Sequence, residues 1–318
     1  MKARFRSIVT VTLNPTIDRI IEVPAFRVGG HQQGHLRVRK PAGKAINLAR
    51  ALADLGIRST AIGWVGMNAF DLFHEAMQSA GVKACFLPIT GSTRENITII
   101  DPVGHHETHI RDAGPSVDSA DVRRLLDLLP TVVEQDSLVV FTGSLPPGLS
   151  MEVWSDLIRS CLARGASVAV DIAGEPLRLA VQRDVWLIKP NEMELGELLG
   201  GAAPDEPTVI REGRKLNERI PVVLVTMGRR GAYCFADGRA LHAQAVVPED
   251  QVRSTVGCGD AVMAGFLAGL MSSDGDVEAA LREAVTISAA AALTDEPARF
   301  ERAAVDRIRP DVQVRHVS

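Results

Sequence analysis

Short runs of Val, Ile and Leu, each followed by a stretch with helical periodicity, recur through most of this 318-residue chain. The runs lie at 8–13, 59–65, 137–142, 167–171, 185–189 and 222–226. Helical patterns fall at 46–55, 151–163, 211–219 and 277–293. A strand apolar on both faces must be covered on both, and helices returning between strands supply that cover. The alternation predicts an α/β fold, a doubly wound and mainly parallel sheet. The composition agrees, with 46% hydrophobic but only 4% aromatic residues, as aliphatic strands and Ala-rich helices require. In such sheets ligands collect beyond the carboxyl ends of the strands. The motifs below sit there or at the following helix start.

Two segments, 18–40 and 94–111, depart from the pattern. They alternate without helical period (Ile20, Val23, Phe26; Ile97, Ile99, Ile110) and carry hairpin-like turns at Val28-Gly-Gly and Asp101-Pro-Val-Gly. They are expected to form a small separate sheet inserted into one domain spanning 1–318, two edge hairpins on the main sheet being the alternative.

The stretch Ser254-Thr-Val-Gly-Cys-Gly-Asp260 runs into a small apolar segment. A Gly-x-Gly turn opening a helix gathers free N–H groups at the positive end of the helix dipole, which makes an anion site. A carboxylate beside an anion site is unfavourable unless it takes a proton from whatever attacks that anion, as phosphoryl transfer requires. Lys189-Pro-Asn191 with Glu194 follows another strand. Asn three residues before Glu at a helix start reads first as a capping box, and the same oxygens suit Mg²⁺. Thr226-Met-Gly228-Arg-Arg-Gly231 offers glycines for close approach to a nucleotide. Gly143-Ser144 presents a hydroxyl at the same edge, Asp18 a carboxylate for a polyol, and Pro41-Ala-Gly43-Lys44 a glycine turn that lacks the Walker A Ser/Thr. Arg94 adds a second cation.

Taken in order, Asn14-Pro15…Asp18, Gly43-Lys44…Asn47, Thr93-Arg94…Asn96, Gly143-Ser144-Leu-Pro146, Lys189-Pro-Asn191…Glu194 and Thr255-Val-Gly-x-Gly-Asp260 resemble the PfkB branch of the ribokinase-like carbohydrate kinases. The likeness covers nearly the whole chain and points to the hexose-phosphate kinase subgroup. It implies a ribokinase-like fold whose inserted segments form a β-sheet lid, often paired into a homodimer. It implies Asp260 as general base and the amides of Gly257, Cys258 and Gly259 around the transferred phosphate. Asp18, Gly43, Asn47 and Ser144 match sugar-contacting positions, and Lys44 and Arg94 positions facing the phosphate already on the sugar. Lys189, Asn191, Glu194, Thr226, Gly228, Gly231 and Ser254 match the nucleotide side, with Asn191 and Glu194 toward Mg²⁺. The implied activity is ATP-dependent phosphorylation of a hexose phosphate, fructose 1-phosphate first, with tagatose 6-phosphate or fructose 6-phosphate as alternatives. K⁺ is a further candidate cofactor. Cys258 stands where the family has Ala or Ser, Ala45 where it has Gly, Arg111 where Asn is common, and 293–299 lacks the usual glycine.

The remaining bounds are negative. A net charge of −4 gives no basic footprint for nucleic acid. No apolar run reaches the roughly 18 residues of a membrane span. The basic start 1–6 leads into a strand rather than a long apolar stretch, so no signal peptide is expected. Four scattered cysteines suit reduced thiols and a cytoplasmic location. Cys258 is expected to be acidified by its helix start or silenced by burial. The segment 306–318 shows no pattern and is expected to be a loose tail. A catalytically inactive sugar-phosphate sensor is the rival from another class, and the presence of Asp260 argues against it.

Overall fold

The structure, a computed structural model, describes residues 5–317; residues 1–4 of the basic start 1–6 lie outside them. In chain order the strands are β1 (Ser7–Thr12), β2 (Thr16–Glu22), β3 (His35–Ala42), β4 (Ser59–Gly66), β5 (Lys83–Ile89), β6 (Arg94–Asp101), β7 (His106–Ile110), β8 (Ser137–Gly143), β9 (Ser167–Ile172), β10 (Leu187–Ile188), β11 (Val222–Thr226), β12 (Ala232–Ala236), β13 (Arg239–Gln244) and β14 (Gln313–His316). The helices are α1 (Lys44–Asp54), α2 (Phe70–Ser79), α3 (Ser119–Val132), α4 (Met151–Leu162), α5 (Glu175–Ala180), α6 (Glu192–Leu199), α7 (Glu206–Asn217), α8 (Cys258–Ser272), α9 (Val277–Ala291) and α10 (Arg302–Ile308).

Ten strands form the main sheet, in the order β14-β13-β12-β11-β10-β9-β8-β1-β4-β5. From β5 to β11 all neighbours are parallel, and β12 to β14 close one edge antiparallel. The strands are buried on both sides because alternate residues enter different cores. Ile8, Leu138 and Val140 pack with α1, α8 and α9, whereas Val9, Val139 and Phe141 pack toward α3 and α4. Each such aliphatic side chain contributes about 1.5–3 kcal/mol by leaving water.

The two inserted segments form a separate four-stranded sheet, β3-β2-β6-β7. Parallel pairing of β2 with β6 sets Asp18 opposite Asn96 and Thr16 opposite Arg94. At the far end the buried Asp101 carboxylate accepts from the amides of Ala25, Phe26 and Val103 at 2.8–2.9 Å, joining the turns of both segments.

Three expectations are revised. The segment 306–318, expected as a loose tail, is structured over its described residues: α10 ends within it at Ile308, a short turn follows at Arg309–Asp311, and β14 adds an edge strand to β13. Three of the four residues of β14 are polar and exposed and only Val314 turns partly inward, so no apolar alternation marks the strand. The helix expected at 211–219 begins at Glu206, where Asp205 accepts from Thr208 N and proline occupies the first turn. The run 185–189 is a two-residue strand, because Pro190 turns the chain out of the sheet.

Candidate active site

Strands β1, β8, β9, β10 and β11 all release their chains at one end of the sheet, and the start of α8 meets them there. Gly257 precedes α8 with φ +79°. A Cβ there would stand 2.5 Å from Ala298 N and 2.8 Å from Pro297, so the turn demands glycine twice over. The amides of Gly257, Gly259 and Asp260 meet no acceptor among the described residues, whereas that of Cys258 turns in to Thr255 O at 3.3 Å. The free donors are therefore Gly257, Gly259 and Asp260, not the expected trio containing Cys258. Ser254 shapes the approach, its hydroxyl accepting from Val256 N at 3.2 Å.

Asp260 is buried, with Oδ2 accepting from Asn47 Nδ2 at 2.9 Å. Desolvation, then the neighbouring Asp171 charge, pushes its pKa up to about 7, opposed by Asn47, Lys44 and Lys189. A carboxylate so tuned is half-ionised near neutrality, which suits a general base.

Asp171, at the end of β9, is the centre that the sequence reading passed over. Both Lys44 Nζ and Lys189 Nζ lie 3.2 Å from its Oδ1, and Thr142 donates to Oδ2 at 3.0 Å. The one available signal was an acid next to the end of a largely aliphatic strand, at the sheet edge where ligands bind. Lys189 is itself buried, and its Nζ is 3.3 Å from where a Gly259 Cβ would be, which sets it against the free amides. Lys44 thus joins Asp171, Glu194 and Asp260 rather than Arg94. Gly43, with φ +120°, opens the helix that carries Lys44 and Asn47 on neighbouring turns.

Asn191 and Glu194 form the capping box: Asn191 Oδ1 accepts from Glu194 N at 2.8 Å and Glu194 Oε2 from Asn191 N at 2.9 Å. Oε1 of Glu194 accepts no hydrogen bond among the described residues. No group of three His, Cys, Asp or Glu stands ready for a metal among the described residues. Mg²⁺ carried by phosphates and water needs only one or two protein carboxylates, so the free Glu194 oxygen fits it and the committed Asn191 oxygen fits it less well. Next to them, Thr226 N donates to Pro190 O at 3.1 Å, and a short turn at Gly228–Arg230 ends at Gly231. Nothing lies within 4 Å of a Cβ on Gly228, whereas one on Gly231 would strike Ala243 O at 1.9 Å. Thr294 Oγ1 stands where the carbonyls of Ala291, Glu296 and Arg299 converge at 3.0–3.1 Å, closing the 293–299 loop with its own hydroxyl.

The second cluster lies at the small four-stranded sheet. Asn96 Nδ2 donates to Asp18 Oδ1 at 3.3 Å, and burial raises the Asp18 pKa. Arg94 donates to the carbonyls of Asn14, Pro15 and Asp112 at 3.0–3.3 Å and lies 3.4 Å from Ser144 Oγ. Its guanidinium is thus largely committed to backbone. Arg111, near enough to act on both Asp18 and Arg94, has no hydrogen bond or ion pair among the described residues. The buried Asn14 Oδ1 and Asn96 Oδ1 also lack donors. A free cation with two buried, unpaired acceptors suits an anionic, hydroxyl-rich molecule.

Cys258 Sγ points away from the anion site, 3.8 Å from Ser254 O and 3.7 Å from Ser288 O. Burial pushes the thiol up to about 11, so the expected acidification by the helix start does not occur.

The comparisons with known proteins agree with one another. Residues 8–300 match the pfkB family carbohydrate kinase. The chain is 34% identical to the 1-phosphofructokinase of Bacillus subtilis, over 96% of this chain and 99% of that protein. It is 31% identical to the 1-phosphofructokinase of Escherichia coli K12, over 92% and 95%. The crystal structure of Escherichia coli phosphofructokinase-2 with potassium shares the fold, with a TM-score of 0.89, 24% identity and coverage of 97% and 99%.

Proposed function

The chain belongs to the pfkB family of carbohydrate kinases, and we propose that within it the substrate is fructose 1-phosphate and the product the 1,6-bisphosphate. The observation that carries the reaction is Asp260, a buried carboxylate held by Asn47 at the mouth of an unpaired amide nest. Asp260 takes the proton of the attacking hydroxyl. The Gly257, Gly259 and Asp260 amides, with Lys189, meet the charge on the moving phosphoryl group. Lys44 and Lys189, both paired to Asp171, keep local charge balanced while the phosphates are absent. Mg²⁺, when bound, would neutralise phosphate charge, and Glu194 would hold it through water. Arg111, Asp18, Ser144 and the Asn14 and Asn96 acceptors take the sugar phosphate, with Arg94 shaping that pocket.

The choice of sugar rests on the curated relatives at 34% and 31% identity, both named 1-phosphofructokinase. A kinase assay with fructose 1-phosphate, fructose 6-phosphate and tagatose 6-phosphate tests it. The highest kcat/KM is expected for fructose 1-phosphate, and preference for either 6-phosphate would reassign the substrate. Replacing K⁺ by Na⁺ in that assay is expected to have a small effect, given the closed 293–299 loop. Exposed Val28, Leu36, Val103 and Ile110 on the lid support a homodimer through that sheet, which light scattering reads directly. Four free thiols support a reducing, cytoplasmic setting.

A further inference from the structure

We propose that His242 and Gln244 are positioning residues for the nucleotide, holding the turn Gly228–Arg230 in one shape from behind. The proposal rests on the reading of that turn as part of the nucleotide loop. In β13 these two residues are two apart and therefore face the same way. His242 Nε2 is 2.8 Å from Arg230 O, and Gln244 Nε2 donates to Arg229 O at 2.9 Å. Two consecutive carbonyls of the turn are thereby pinned to the sheet. The other ties of the turn are its own backbone bonds, Met227 N to Gly231 O at 2.8 Å, Arg230 N to Met227 O at 3.1 Å and Gly231 N to Gly228 O at 3.0 Å, and the exposed ion pairs of Arg229 with Glu249 and Arg230 with Glu192; none of these anchors the carbonyls of Arg229 and Arg230 to the sheet.

The neighbours of His242 dictate its protonation. A carbonyl only accepts, so Nε2 must carry the proton toward Arg230 O. Arg315 Nε only donates, and it points at Nδ1 from 3.3 Å, so Nδ1 must keep its lone pair. The ring is buried, packs on Tyr233 with centroids 4.5 Å apart, and is held below the ordinary histidine pKa chiefly by desolvation. Arg315 is in turn 3.6 Å from Glu206, which accepts the Tyr233 hydroxyl. The edge strand β14 thus fixes the tautomer of His242, and His242 fixes the turn. A loop shaped beforehand loses less conformational freedom on binding, and the gain belongs to the ligand that touches it.

The test compares His242→Leu, Gln244→Leu, His242→Gln and Gly228→Val with the wild-type enzyme. Each leucine variant is expected to raise KM for ATP about 3- to 10-fold, the worth of one lost hydrogen bond. Neither kcat nor KM for the hexose phosphate should move more than about twofold by the same reasoning. His242→Gln, which can still donate to Arg230 O, should recover most of the loss. Nitrogen NMR of the wild-type imidazole should show the neutral Nε2–H tautomer near pH 7, a readout independent of how the variants fold. An Nδ1–H tautomer would overturn the proposal, as would leucine variants with unchanged KM for ATP or with both KM values and kcat moving together. If Gly228→Val raises KM for ATP and the leucine variants do not, only the positioning role fails. If Gly228→Val leaves KM for ATP unchanged, the nucleotide-loop reading fails and takes the proposal with it.

Discussion

Asn47 and Asp260 lie 213 residues apart in the chain and meet at 2.9 Å, Nδ2 donating to Oδ2. The bond fixes the plane of the carboxylate and leaves Oδ1 without a partner among the described residues. One oxygen is held while the other is left open to accept a proton. Asn47 rides on the helix that also carries Lys44, so the partner of Asp260 and a cation of the site are set by one rigid element.

Asp260→Asn should lower kcat about 10²- to 10⁴-fold while nucleotide binding persists, since size and hydrogen-bonding capacity remain. Calorimetric titration with ATP and a coupled assay read the two separately. The same variant should be at least as thermally stable as wild type at pH 8. The folded-state pKa of Asp260, about 7, lies above its ordinary 3.8, so the native state holds the extra proton between those values. Its contribution to stability is present below about pH 4 and is lost as pH rises through 7. A kcat within a few-fold of wild type would remove Asp260 from the chemistry.

The pH profile of kcat/KM should rise with a midpoint near 7 as Asp260 ionises. Asn47→Ala should move that midpoint upward, because the Asn47 hydrogen bond favours the ionised form. Activity on the alkaline plateau should fall about 10-fold for one hydrogen bond. An unchanged midpoint would separate the two residues.

Arg111→Ala should raise KM for the sugar phosphate about 10-fold or more, the worth of a charge-assisted hydrogen bond, and leave KM for ATP in place. Arg94→Ala should add a loss of thermal stability, because its guanidinium holds the carbonyls of Asn14, Pro15 and Asp112. Steady-state kinetics with melting curves distinguish the two arginines.

Cys258 should be a poor nucleophile at neutral pH, with its thiol near 11 and directed at Ser288 O. Iodoacetamide at pH 7 should leave activity intact over times that modify a free thiol, and Cys258→Ala should remain active. Rapid inactivation that Mg-ATP prevents, and that Cys258→Ala abolishes, would restore the acidified thiol.

Legibility in the sequence followed how much each feature relies on side-chain pattern. Runs such as 137–142 and 222–226 were readable because both faces are buried, and only aliphatic residues satisfy that. The strand Gln313–His316 was not, because three of its four side chains are polar and exposed, which leaves no apolar alternation to read, while its backbone pairs with β13. Asp260, Asn47 and Lys189 were visible through glycine and proline spacing around them. Asp171 was passed over because nothing local sets it apart from any acid that ends a strand; its importance arises from two lysines 127 and 18 residues away. Which amides of the α8 turn stay free, and where the Cys258 thiol points, depend on backbone angles that composition does not encode.

The carboxylate of Asp101 gives the small sheet a fastening at the end remote from its roots. With both tips tied through that one buried group, the turns of the two inserted segments are held to each other as one unit. If that sheet is the lid of the proposed kinase, a unit tied in this way would bring Asp18, Asn96 and Arg111 to the sugar together or not at all.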